Sequence, residues 1–275
     1  MPELPEVEVC RRGLLPGVLG HPILGVAVRF PRLREPIPPD LPQRLENCVV
    51  AGIERRGKYL LFDCRRGNER GWLIVHLGMS GSLRLTKNPE PPGRHDHVDI
   101  VFAGMVLRYH DPRRFGVIDW QPGEAPELHP LLAVLGIEPL GPAFSGAWLH
   151  RISRGRRGPI KNLLMDARIL VGVGNIYAAE SLYRAGISPL RPAGRLGIKS
   201  CERLAAAVRE TLGDAIAAGG SSIRDYVHHD GGSGWFQLTC AVYGRAGEPC
   251  RRCGSIVRLA RQGGRSTFYC PHCQR

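Results

Sequence analysis

Cys250-Arg-Arg-Cys253, then Gly-Ser-Ile-Val-Arg-Leu-Ala-Arg-Gln-Gly-Gly-Arg-Ser-Thr-Phe-Tyr, then Cys270-Pro-His-Cys273, reads as C-x2-C-x16-C-x2-C. That is the spacing of a zinc ribbon. Each C-x2-C pair brings two thiolates from one tight turn to a single tetrahedral ion. Four thiolates leave no open coordination position, so the expected cofactor is one structural Zn2+ per chain, held by Cys250, Cys253, Cys270 and Cys273. A redox pair or chance spacing is the bland alternative. A unit of some thirty residues cannot bury enough core to fold without such a staple. His272 lies inside the second knuckle and is not needed as a ligand. Between the knuckles, residues 256–269 read as a β-hairpin carrying Arg258, Arg261 and Arg265. Residues 245–275 hold seven Arg against the single acid Glu248. That is the electrostatic footprint of a phosphate-backbone binder.

Upstream of the ribbon the period is helical. Residues 200–218 form a long amphipathic pattern with Leu204, Val208, Leu212, Ala215 and Ile216 on one face and Gly219 past its end. Residues 175–185, stopped by Gly186, and residues 160–165 read as shorter helices. Residues 219–234 are rich in Gly, Ser and His and read as a mobile loop. A Pro-rich stretch at 122–142 separates this part from one of period two. There, β-rich runs recur at 23–30, 48–54, 59–63, 72–76, 82–86, 98–102, 106–109 and 117–120. Many short strands at such spacing indicate an antiparallel sandwich or barrel. Residues 5–15 read as a leading helix, with Pro5 in its first turn and Pro16-Gly17 as its stop. The expected fold class is therefore α+β and multidomain: a β unit over 1–132, a helical unit over 133–240 and the ribbon over 241–275.

Composition narrows the partner. The 275 residues carry a formal charge of +13 and a pI near 9.8, which points to a polyanion. The cations are 34 Arg and four Lys: Lys58, Lys87, Lys161 and Lys199. Arg suits bidentate phosphate contacts and stacking. A GC-rich genome supplies part of that bias, which makes each retained Lys more informative. The first ten residues contain Glu3, Glu6 and Glu8 rather than a basic start and an apolar run, so no signal peptide is expected. No apolar run is long enough to span a bilayer. A cytoplasmic protein follows, expected to act as a monomer, with Cys10, Cys48, Cys64, Cys201 and Cys240 as reduced, mostly buried thiols.

Met1-Pro2 has chemical meaning. Initiator Met is usually removed before a small residue, which leaves Pro2 with a free secondary amine. Such an amine attacks an electrophilic sugar carbon and yields an iminium, an electron sink for elimination. An α-amine titrates near pH ~8, so a useful fraction is neutral. Met-Pro alone is common. It gains weight from Glu3 beside it, Glu6 one helical turn on and Lys58 in Arg56-Gly-Lys-Tyr59, because carboxylates beside an amine can move protons. Each acid taken singly is equally a helix N-terminal charge.

Pro2-Glu-Leu-Pro-Glu-Val-Glu8, Arg56-Gly-Lys-Tyr-Leu60, His76-Leu-Gly-Met-Ser-Gly-Ser82, Asp111-Pro-Arg-Arg-Phe-Gly116, Gly172-Val-Gly-Asn-Ile-Tyr177 and the four-cysteine array run in order from end to end. Together they resemble bacterial formamidopyrimidine-DNA glycosylases. The resemblance implies an N-terminal β-sandwich with its leading helix, a helix–two-turn–helix domain and a zinc finger, with double-stranded DNA in the cleft between the halves. It implies base-excision repair: removal of oxidised purines such as 8-oxoguanine and formamidopyrimidines, then AP lyase cleavage. Pro2 matches the Schiff-base nucleophile and Glu3 the proton donor to the sugar. Lys58 matches the lysine that contacts phosphate and assists β-elimination, and Arg265 the arginine credited with δ-elimination. His95, Arg113 and Arg156 match DNA-binding positions, and His76 and Asn175 match phosphate contacts. Met79, Arg113 and Phe115 match the trio that fills the gap left by an extruded base. Outside that context Met79 and Phe115 are equally core residues and His95 a turn residue. Two rivals stay open at this point: an endonuclease VIII-like glycosylase for oxidised pyrimidines, and a non-catalytic zinc-ribbon DNA-binding protein.

Overall fold

The computed structural model describes residues 2–87, 90–220 and 240–275. They fall into two compact units. The first holds the residues up to Ala133 with Gly219 and Gly220; the second holds Val134–Ala218 and residues 240–275. The Gly-, Ser- and His-rich segment expected to be a loop lies, beyond Gly220, outside the described residues.

The first unit opens with helix α1, Leu4–Val18. Glu3 is its N-cap, and a capping box forms in which the Glu3 N–H donates to Glu6 Oε2 at 2.8 Å. Pro5 sits in the first turn, where its missing N–H costs nothing. The expected stop at Pro16-Gly17 is displaced. The helix runs through Pro16 to Val18, and Leu19 N–H closes it on the Leu15 carbonyl. Leu14 and Val18 are fully buried, and that burial, ~2 kcal/mol per side chain, outweighs the hydrogen bond Pro16 cannot make.

All eight expected strands form: β1 Gly25–Val28, β2 Val49–Arg56, β3 Tyr59–Arg66, β4 Glu69–His76, β5 Ser82–Thr86, β6 Asp96–Phe102, β7 Met105–His110 and β8 Val117–Pro122. A short helix α2, Leu41–Leu45, lies between β1 and β2. The strands make two antiparallel sheets, ordered β1-β6-β7-β5 and β2-β3-β4-β8. Their inner side chains, with those of α1 and α2, join in one core that includes Leu41, Phe62, Leu73, Val98, Leu107 and Tyr109. This is a β-sandwich. Two connections pass between its sheets at one end. Residues 77–81 lead from β4 to β5, and residues 111–116 lead from β7 to β8. The register pairs His76↔Val117 in one sheet and Ser82↔His110 in the other bracket both, so the two crossings run side by side.

Helix α3, Pro130–Ala133, ends the first unit. The second unit contains α4 Gly146–Ser153, α5 Ile160–Leu164, α6 Asn175–Arg184 and α7 Ile198–Ala217, then strands β9 Arg258–Gln262 and β10 Arg265–Tyr269. α4 is capped by Ser145, whose side chain accepts from Trp148 N–H. α7 buries Leu204, Val208, Leu212 and Ala215 on the expected face. β9 and β10 pair with Arg265 opposite Gln262 across Gly263-Gly264. Both glycines have positive φ, 53° and 75°, as a two-residue hairpin turn of this hand requires.

Candidate functional site

Pro2 and Glu3 are both buried at the head of α1, with Glu3 3% exposed. Lys58 is half-buried in the two-residue turn between β2 and β3, where Gly57 takes φ 57°. Helix and turn are tied by Glu8, which is 8% exposed. Its carboxylate accepts from Arg11 at 2.8 Å, Arg12 at 2.8 Å and Arg55 Nε at 3.2 Å. Arg55 Nη1 in turn donates to the Gly57 carbonyl at 3.1 Å, one residue before Lys58. Burial pushes the Glu8 carboxyl up. Hydrogen bonds from Arg11 and Arg12, with the charges of Arg11 and Arg55, outweigh that and bring it from 4.5 to about 2.

His76 ends β4, its ring 4.7 Å from that of Tyr59. Its Nδ1 accepts the Gly78 N–H at 2.9 Å. Burial and the charges of Arg34 and Lys58 push its pKa down to about 3. At neutral pH it is therefore an uncharged imidazole whose proton sits on Nε2, a donor suited to a phosphate oxygen. Met79 lies on the β4–β5 crossing. Arg113 and Phe115 lie on the β7–β8 crossing, both exposed, with the Arg113 guanidinium 4.9 Å from the centre of the Phe115 ring. Phe115, 43% exposed and stacked under a guanidinium, is therefore not a core residue. His95 sits just before β6, 6.0 and 6.3 Å from the rings of His110 and His97.

In the second unit Asn175 opens α6, and its Nδ2 donates to the Ser266 carbonyl at 3.0 Å. That binds a helix N-terminus to the finger strand whose first residue is the exposed Arg265. The dipole of a helix favours an anion at its N-terminus. Lys161, 1% exposed, reinforces the link: its Nζ donates to the Ser266 carbonyl at 3.0 Å and to Thr267 Oγ1 at 2.7 Å. Arg156 is exposed between α4 and α5, its Nε donating to the Ile152 carbonyl. The four finger sulfurs lie within 4.8 Å of one another, with Cys250–Cys273 at 3.9 Å and Cys253–Cys270 at 3.5 Å. A tetrahedron with Zn–S bonds of ~2.3 Å has edges of about 3.8 Å, so the donor set fits zinc.

Residues 1–118 match the formamidopyrimidine-DNA glycosylase N-terminal domain, residues 135–227 its H2TH domain, and residues 247–275 the zinc finger found in FPG and IleRS. The formamidopyrimidine-DNA glycosylase of Dechloromonas aromatica is 59% identical over 276 residues, covering all of both chains. This chain belongs to the formamidopyrimidine-DNA glycosylase family. The solved MutM (Fpg) protein of Thermus thermophilus superposes with a TM-score of 0.88 at 42% identity, covering 99% of this chain and 98% of that one. The Lactococcus lactis Fpg, solved with a Fapy-dG containing DNA, gives 0.89 at 34% identity over 99% and 100%. With the family established, the finger cysteines are the ligands of one structural zinc. Among the described residues no helix is long and apolar enough to cross a membrane.

Sequence reasoning missed Glu8 and Arg55 as the tie to the Lys58 turn, and Lys161 as the bridge between α5 and the finger. Lys161 had a signal in its rarity, being one of four lysines among 38 Lys and Arg. Asp111 appeared only as the first letter of a motif, yet it is fully buried between the two crossings.

Proposed function

We infer that this chain is a base-excision repair glycosylase that removes oxidised purines from double-stranded DNA and then cleaves the strand. Pro2 supplies the nucleophile. Its neutral amine forms the N–C1′ bond as the bond from C1′ to the damaged base breaks, and Glu3 delivers a proton to the opening sugar. The resulting iminium acidifies the C2′ proton. Loss of that proton expels the 3′ phosphate, with Lys58 holding phosphate, and a second elimination assisted by Arg265 expels the 5′ phosphate. A one-nucleotide gap with phosphate at both ends remains.

His76, Asn175, His95, Arg113 and Arg156 hold the DNA. Met79, Arg113 and Phe115 fill the space the extruded base leaves, offsetting a few kcal/mol of lost stacking. We assign these tasks to a catalytic part at 1–132, a helix–two-turn–helix part at 133–240 and a finger at 241–275. The enzyme acts as a single chain in the bacterial cytoplasm, at the chromosome.

The observation that carries the chemical assignment is the buried head of α1, where Glu3 directly follows Pro2. Nothing observed favours a pyrimidine enzyme or a non-catalytic ribbon. Borohydride trapping on an 8-oxoguanine duplex, followed by intact-mass mapping, tests it. The expected adduct is on Pro2, and retention of Met1 abolishes it. Attachment at Lys58, or full activity with Met1 retained, overturns the mechanism.

A further inference from the structure

The two crossings of the sandwich are joined by one carboxylate. Asp111 Oδ1 accepts the Ser80 hydroxyl at 2.8 Å, from the crossing that carries Met79. Its Oδ2 accepts the Gly116 N–H at 2.9 Å, from the crossing that carries Arg113 and Phe115, and the Tyr109 hydroxyl at 3.2 Å. The Asp111 carbonyl accepts from His97 Nε2 at 2.8 Å, and its N–H donates to the His95 carbonyl at 3.0 Å. Ser80 Oγ also accepts the Arg113 N–H at 3.3 Å. Asp111 is 0% exposed, Tyr109 1% and Ser80 3%, so water cannot replace a lost partner. Burial, with Asp111 beside it, raises the Tyr109 pKa well above 10, which keeps that hydroxyl a donor.

Backbone packing closes the same joint. A Cβ at Gly78, where φ is +66°, would lie 2.4 Å from the Phe115 carbonyl carbon. A Cβ at Gly116 would lie 1.7 Å from the Tyr109 hydroxyl and 2.6 Å from the His76 carbonyl oxygen. The crossings thus touch main chain to main chain, and the Asp111 carboxylate is the polar group they share. Arg114, a non-glycine residue at φ 55°, shows how tightly the second crossing is bent.

We propose that Asp111, through Ser80 and Gly116, is the positioning residue that makes the Met79 crossing and the Arg113–Phe115 crossing one rigid wedge for entry into the space vacated by an extruded base. The proposal rests on the gap-filling reading of Met79, Arg113 and Phe115. A wedge whose halves move independently must be ordered at the moment of base extrusion, and that ordering cost falls on the excision step. Strand cleavage at an abasic site has no base to extrude and escapes most of it.

The test is a double-mutant cycle in the full-length zinc-loaded enzyme. Asp111→Asn keeps the shape of the side chain, and Ser80→Ala removes the hydroxyl that donates to Asp111 and accepts the weaker, 3.3 Å bond from Arg113 N–H. Each is expected to slow single-turnover excision of 8-oxoguanine from duplex by about tenfold, the weight of roughly one hydrogen bond. Cleavage of a preformed abasic site should stay within about twofold of wild type. In a Phe115→Ala background, Ser80→Ala should add less than about twofold to the excision defect, because the wedge is already broken. Equal losses on both substrates, or full additivity with Phe115→Ala, overturn the positioning role. So does wild-type excision by both variants when Phe115→Ala is slow. If Phe115→Ala itself excises at the wild-type rate, the gap-filling reading fails and the proposal falls with it. Should Asp111→Asn fail to fold, Ser80→Ala alone decides.

Discussion

Replacing Glu8 with Gln isolates an electrostatic tie that spans α1 and the Lys58 turn. The wild-type carboxylate titrates at about 2 in the fold, against an ordinary 4.5. At about 1.4 kcal/mol per decade, that difference is worth ~3 kcal/mol at neutral pH. Solvent screens the share of Arg12, whose side chain is 60% exposed, so ~2 kcal/mol is the expected loss. The sign follows from the direction of the change. A carboxyl whose folded pKa is depressed contributes fully above about 4.5, and the contribution is lost as pH falls toward about 2. Glu8→Gln should therefore be ~2 kcal/mol less stable than wild type at pH 7, with the gap narrowing by at least ~1 kcal/mol at pH 3. Urea unfolding read by tryptophan fluorescence measures both, since Trp72 and Trp120 lie in the sandwich. The other depressed carboxyls, such as Asp63 and Asp99, cancel between the two proteins. The same variant loosens Arg55, and with it the Gly57 carbonyl, so β-elimination at an abasic site should slow severalfold at pH 7. An equal stability gap at pH 7 and pH 3 would show that packing, not charge, is what Glu8 contributes.

Two further outcomes follow from the second unit. Wild type should carry one zinc per chain. Cys253→Ala should lose most of that metal and bind duplex DNA at least ~10-fold more weakly, while the sandwich tryptophans keep their folded spectrum; unchanged metal content and affinity would refute the structural role. Arg265→Ala should reduce the slope of log K against log salt by about one unit, as expected when one phosphate contact is removed. A slope equal to wild type, measured by titration on an undamaged duplex, would take Arg265 off the backbone.

The elements visible in the sequence are those whose signal is local. Period-two runs located all eight sandwich strands, and the cysteine spacing located the finger, because both patterns arise within a few residues of themselves. Helices α2 and α4 were missed for the same reason in reverse. α2 has five residues and contains a proline, and α4 begins with Gly146 and shows its start only through the Ser145 cap. Pro16 misled because a local stop signal met a buried face that favoured one more turn. At the site, Pro2, Glu3 and Lys58 stood out by chemistry, but what holds them did not. Asp111 makes the point most clearly. Two of its partners, Tyr109 and Gly116, lie within five residues and look like parts of one motif. Ser80 and His97 lie 31 and 14 residues away, and nothing in either neighbourhood announces the contact. They meet because β4 and β8 are neighbours in one sheet while β5 and β7 are neighbours in the other, which forces the two connections to cross the sandwich together. Gly78 and Gly116 read as ordinary turn glycines until that crossing is known. Then each is the only residue type that fits, since any Cβ there would fall inside the other crossing or on the Tyr109 hydroxyl.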